Sequence, residues 1–283
     1  MNHKMVRLFS KTIITLSLFV GSMAFASYER TTAVGVEEDS TQFNHSFSYG
    51  FSSDAYDQSE QTLINHGARY TGTYFFMNRK YYTTFGLGAL FQSVDNSLVQ
   101  NDNGSFQLSD LVLGFGTSAW SLYKSNSDRL SLFTSFNNIA PLSETSRNEG
   151  YKSVPSIRAD LAYQRGPLDL VLTGQYTYVF NSYDTNSFGD PNLESSLASS
   201  IAIRYNLKHF RFQYSYLIGA LKYLDGSSLG SSGNNYSITG IINSNFWVSA
   251  STSNVNNVEE QFVDVWFYDP FVRIYSLSMG VTF

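Results

Sequence analysis

Apolar residues and small or polar residues alternate along most of this chain. The clearest case is its last stretch. Tyr275, Leu277, Met279, Val281 and Phe283 are apolar, and Ser276, Ser278, Gly280 and Thr282 stand between them. A two-residue period marks a strand with one apolar and one polar face. The same pattern recurs at Phe43–Phe51, Ala68–Phe76, Tyr81–Phe91, Leu111–Thr117, Leu130–Phe136 and Ile157–Tyr163. It continues at Leu168–Phe180, Leu197–Tyr205, Phe210–Ile218, Tyr236–Ile242 and Phe246–Ala250. With the terminal segment this predicts about twelve strands, within a range of 10–14, near the 9–11 residues that cross a bilayer at a tilt.

The connections sort by length. "MNRK", "YKSNSDR", "RGP", "LKH" and "NSN" are short. "SSDAYDQSEQ", "SVDNSLVQNDNGSF", "NIAPLSETSRNEGYKS", "NSYDTNSFGDPNLESS", "LDGSSLGSSGNN" and "NVNNVEEQ" are long and rich in Asn, Ser, Gly and Asp. Short turns on one side and long loops on the other predict an all-β, antiparallel, up-and-down transmembrane barrel with an even strand count. Closure also accounts for the bulky last residue. The final strand pairs with the first, and Phe283 takes a place in an interfacial aromatic girdle.

The amino end sharpens this picture. Lys4, Arg7 and Lys11 precede an apolar run from Ile13 to Met23, and Ala24-Phe25-Ala26 forms an A-x-A site. This reads as a cleaved secretory signal over residues 1–26, since the run is too short to span a bilayer. Residues 27–40 read as a short periplasmic arm, and 41–283 as the barrel. Removing the leader's three cations leaves 15 basic against 23 acidic residues, a charge of −8, which argues against nucleic acid as a partner. There is no cysteine, so export brings no disulfide framework. Aromatics make up 16% and charged residues only 14%, against about 25% in soluble domains. A barrel fits, because its apolar residues are spread over alternate positions rather than massed.

The ending Tyr275, Leu277, Met279, Val281 and Phe283 resembles the carboxy-terminal assembly signal of bacterial outer-membrane proteins. With the strand pattern, it places the chain in the porin-like outer-membrane barrel class. The resemblance implies recognition by the secretion and barrel-assembly machinery. It also implies contact with outer-membrane lipids and lipopolysaccharide. The short-turn side carries both ends of the chain, so both are expected in the periplasm.

If the aromatic parity meets lipid, the other parity lines the lumen. There lie Arg69, Gln92, Asp110, Arg158, Asp160, Asp169, Gln175, Arg204, Arg211 and Gln213. Mid-strand charge is nearly absent from the aromatic parity, as expected when a lipid-facing charge costs about 2–4 kcal/mol. Arg158, Asp160, Asp169, Arg204, Arg211 and Gln213 fall on successive strands and are expected to form one polar cluster. It serves either to stiffen a narrow barrel or to select ions. Arg273 shares the parity of Phe283 but sits near the outer interface, where charge is tolerated. The apolar segment 262–271 extends the last strand, carries the outer girdle, or folds into the mouth.

Catalytic signals are weak. Beyond the leader the histidines are His45, His66 and His209. His45 and His66 fall on neighbouring strands, but His45 and Ser46 point to opposite faces and form no nucleophile–base pair. No G-x-S-x-G motif and no zinc-type spacing occurs, and the Asp-rich loops lack a calcium-loop spacing. No cofactor or metal is expected. The leading expectation is a passive channel for small hydrophilic solutes. A lipid-modifying enzyme, a loop-mediated adhesin and a purely structural barrel are the alternatives.

Overall fold

The computed structural model describes residues 43–55, 61–96, 105–148, 150–186, 189–243, 245–258 and 273–283. The expected leader, the arm at 27–40 and segment 262–271 lie outside the described residues. Twelve strands run in chain order. They are β1 (Phe43–Ala55), β2 (Gln61–Phe76), β3 (Tyr81–Asn96), the segmented β4 (Ser105–Leu108, Leu111–Thr117 and Trp120–Lys124) and β5 (Asp128–Ala140). Then come β6 (Tyr151–Arg165), β7 (Leu168–Tyr178, continued by Phe180–Asn181), β8 (Leu193–Asn206) and β9 (Phe210–Tyr223). The last are β10 (Ser228–Ile241), β11 (Phe246–Val258) and β12 (Arg273–Thr282). A short helix, α1 (Glu144–Asn148), lies between β5 and β6.

Each strand pairs antiparallel with the next, and β12 pairs with β1 from Ser46↔Thr282 to Ala55↔Arg273. Beyond that ladder, His45 and Phe283 exchange backbone bonds at 2.8 and 3.3 Å. The sheet is therefore a closed twelve-stranded barrel, and closure satisfies the backbone groups that a free edge would expose. The residues of the aromatic parity stand outside: Phe47, Phe51, Phe136, Ile157, Leu172 and Leu197 are all exposed. The inner parity is small or polar on most strands, with Val154, Val171, Ala202, Leu221 and Trp247 as buried apolar members.

Three differences from the sequence reading have physical causes. First, several strands outrun the predicted segments, reaching 16 residues in β2 and β3. Backbone pairing continues where both faces are wet, and alternation fades there because neither face is selected against water. Second, "LDGSSLGSSGNN" is no long loop: β9 ends at Tyr223, β10 starts at Ser228, and a tight turn joins them. Gly226, at φ +85°, supplies the left-handed position. The hydroxyl and amide of Ser227 donate to Asp225 at 2.6 and 2.9 Å, which holds that carboxyl below the usual range. Third, β4 changes parity. Phe106 and Leu108 are exposed, then Leu113 and Phe115, then Trp120 and Leu122. Its register against β3 slips between Ala89↔Leu108 and Gly86↔Val112, a one-residue bulge at Ser109–Asp110 that flips the faces.

Rings cover glycines on neighbouring strands. The Trp247 indole lies against Gly280 on the inner wall, and Tyr82 lies against Gly116; outside, Phe85 lies on Gly72. A Cβ at any of these glycines would collide with the ring. Leu172 stands outside, four residues from the turn that begins β7, at membrane depth. Leu172→Arg is expected to lower the free energy of reversible unfolding from lipid vesicles by about 2–4 kcal/mol, measured by denaturant titration.

Candidate functional site: the inner wall and its loop

The polar residues expected in the lumen fall into two groups. The larger is on β6–β9. Arg158 Nε donates to both carboxylate oxygens of Asp160, at 2.9 and 3.0 Å. Thr173 on β7 donates its hydroxyl to Asp160 Oδ1 at 2.7 Å. Arg158 pairs in register with Gln175, whose amide donates to Thr177 Oγ1 at 3.3 Å. Arg158 and Asp160 lie two apart on one strand, which puts them on the same face and within reach.

Nearer the short turns, Asp169, Arg204 and Gln213 stand opposite one another on β7, β8 and β9. Arg204 Nε donates to Gln213 Oε1 at 2.8 Å. Asn206 links the next pair, donating to Asp169 Oδ2 at 2.8 Å and accepting from Arg211 Nε at 2.6 Å. Asp169 Oδ1 is buried and has no hydrogen-bond partner among the described residues. Arg158 is 7%, Asp160 4% and Arg204 5% exposed, so these charges are packed within the wall rather than projecting from it. Arg211, Gln213, Asp169 and Gln175 keep partial exposure.

Asn206 is the linking residue that sequence reasoning missed. It shares the parity of Arg204, so alternation alone would have placed it on the inner face. It falls between the segment ending at Tyr205 and the "LKH" turn, so it was counted in neither. There its backbone N–H also donates to Pro167 O at 2.7 Å.

The smaller group separates. Arg69 on β2 lies over Gly86, whose missing side chain leaves room for the guanidinium: a Cβ there would stand 3.1 Å from Nη2. Asp110 is not in the arginine wall at all. It sits in the β4 bulge and holds the connection that follows β5. Its Oδ1 accepts from the backbone N–H of Leu142 at 2.8 Å and of Ser143 at 2.7 Å, and its Oδ2 accepts from the Ser146 hydroxyl. Ser143 in turn caps α1, its hydroxyl accepting from Ser146 N at 3.1 Å. A bulge re-aims a side chain in this way, and a carboxylate suits the start of a helix.

The histidines form no common site. His45 pairs with Gly72 in register and His66 with Phe51, so they are separated by six residues, about 20 Å along the strand. Each meets a tyrosine on the outer face: His45 Nδ1 and Tyr70 OH are 3.0 Å apart, and His66 Nδ1 and Tyr49 OH 2.9 Å. Phe283 meets His45 edge-on. Among the described residues, no group of three or more His, Cys, Asp or Glu is placed to hold a metal ion.

This architecture is that of an outer-membrane β-barrel. The fold is similar to an outer-membrane channel from Pseudomonas putida F1, with a TM-score of 0.61 and 12% identity, covering 88% of this chain and 100% of that one. It is also similar to the NanC porin, with a TM-score of 0.49 and 10% identity over 84% of this chain and 98% of that one. The translocator domain of the autotransporter NalP from Neisseria meningitidis gives 0.46 and 10% over 94% and 97%. No family model and no curated protein matches the chain.

Asp110→Asn removes the charge that assists three hydrogen bonds. Release of the 141–148 connection should become easier by about 2 kcal/mol, roughly 30-fold in the released population. Limited proteolysis of the folded protein reads this as faster cleavage within that connection.

Proposed function

We propose that the protein is a passive channel for small hydrophilic solutes, with both ends of the chain in the periplasm. The observation that carries this reading is the polar, mixed-charge inner wall of a closed twelve-stranded barrel. Eight strands are filled by side chains, whereas 16–18 leave an open pore; twelve gives a narrow passage. The bent connection at 141–148, held by Asp110, would narrow one mouth further. Similarity of fold to an outer-membrane channel supports the reading.

Within such a channel two of the wall arginines do different work. Arg158 is paired and almost wholly buried, so it stiffens the wall. Arg211 is partly exposed and sits near the inner mouth, where it would act on passing ions. Refolded protein in planar bilayers should show discrete conductance steps; a silent bilayer would overturn the channel reading. Arg211→Ala should shift the reversal potential in a salt gradient toward cation preference. Arg158→Ala should instead destabilise the fold by about 3–5 kcal/mol, because it strands the buried Asp160, with little change in reversal potential.

A further inference from the structure

The inner wall of β6–β9 is wired in two ways. Midway up the wall, Arg158 and Asp160 bond directly to each other. Next to the short turns, Arg204 and Arg211 each give their Nε–H to a neutral amide, Gln213 Oε1 at 2.8 Å and Asn206 Oδ1 at 2.6 Å. The carboxylate in their midst, Asp169, also takes its bond from an amide, Asn206 Nδ2 at 2.8 Å. Among the described residues Asp169 forms no ion pair, and its Oδ1 is buried without a hydrogen-bond partner. Asp169 is the second residue of β7, Asn206 the last of β8 and Arg211 the second of β9, so the set stands at the inner mouth.

Asp169 and Arg211 lie on the same inner face, two strands apart and so about 10 Å across the sheet. An arginine side chain covers most of that distance, and a carboxylate short of one hydrogen bond attracts a nearby guanidinium. Asn206 stands between them on β8, opposite Arg211. Its amide serves both neighbours in one orientation only. The carboxylate needs a donor and the guanidinium needs an acceptor, so an overturned amide would set acceptor against acceptor and donor against donor. An aspartate in its place would repel Asp169, a lysine would repel Arg211, and a serine hydroxyl is too short to span both. An amide fills this gap while leaving both charges where they are.

We propose that Asn206 is the positioning residue of an anion filter at the inner mouth. It holds the Arg211 guanidinium toward the passage and out of an ion pair with Asp169. The filter takes small monovalent anions, chloride and short carboxylates, which meet a cation whose field the wall does not cancel. An Arg211–Asp169 pair would instead present a dipole, and its weaker field would be screened within about 8 Å at physiological salt. The solute class rests on the channel reading, whereas the placement of Arg211 by Asn206 is independent of conduction.

The test is a double-mutant cycle on Asn206 and Asp169 in the purified, folded barrel, with heat-modifiable gel mobility showing that each variant is folded. In planar bilayers under a potassium chloride gradient, Asn206→Ala should lower the chloride-to-potassium permeability ratio roughly fivefold, the effect of one unit charge a few ångströms from an ion in water. The variant changes no charge. Adding Asp169→Asn should restore the ratio, and by a larger factor than Asp169→Asn produces in the unaltered protein. An unchanged ratio in Asn206→Ala, or equal effects of Asp169→Asn in both backgrounds, overturns the proposal. A second readout needs no conduction. In isotope-labelled protein in micelles, the arginine Nε–H resonance that disappears in Arg211→Ala identifies that group. It should shift in Asn206→Ala and shift again when Asp169→Asn is added. A resonance indifferent to Asp169 in the Asn206→Ala background overturns the proposal. Silent bilayers overturn the channel reading, and the resonance then decides the placement of Arg211.

Discussion

Backbone hydrogen bonding in hydrocarbon is the constraint on which the rest of this molecule depends. A sheet inside a bilayer has no water to satisfy an edge, so its first and last strands must meet. Here the seam between β1 and β12 runs from Ser46↔Thr282 to Ala55↔Arg273, and the His45–Phe283 exchange extends it to the last residue. The aromatic end of the chain is thus the terminal stitch of the closing ladder. The antiparallel neighbour order and the two chemically distinct surfaces follow from that closure.

Closure also creates the inner wall. Side chains that alternate away from lipid converge on a confined interior, and charge gathered there needs local compensation. The β6–β9 wall meets this with short-range devices: the Arg158–Asp160 pair with Thr173, the Arg204–Gln213 bond, and Asn206 between Asp169 and Arg211. Buried ion pairs of this kind do little for net stability, yet breaking one is costly. Their benefit is a fixed arrangement of the wall. Trp247 on Gly280 and Tyr82 on Gly116 add to it, filling space that the glycines leave.

The strand count and the lipid-facing residues were legible in the alternation, because contact with hydrocarbon imposes a strict penalty at every second residue. Legibility fell where that penalty stops. The upper parts of β10 and β11, from Ser228 to Asn235 and from Ser251 to Val258, are rich in Ser, Gly and Asn and carry no period. Strand β4 was only one-third visible: its bulges shift the outward parity from Phe106 to Leu113 and back to Trp120, so a single-phase reading captures the middle segment alone.

The sequence by itself determined the class of fold, the face each mid-strand residue presents and the separation of inward charge from outward aromatics. All of these are set by residue type and a local two-residue period. Only the tertiary structure decided which inward residues meet. Parity placed Asp110 with the arginine wall, whereas the bulge turns it to the 141–148 connection, and Asn206 became a bridge through pairing across three strands. Register joins residues that are distant in the chain, and no local period encodes it.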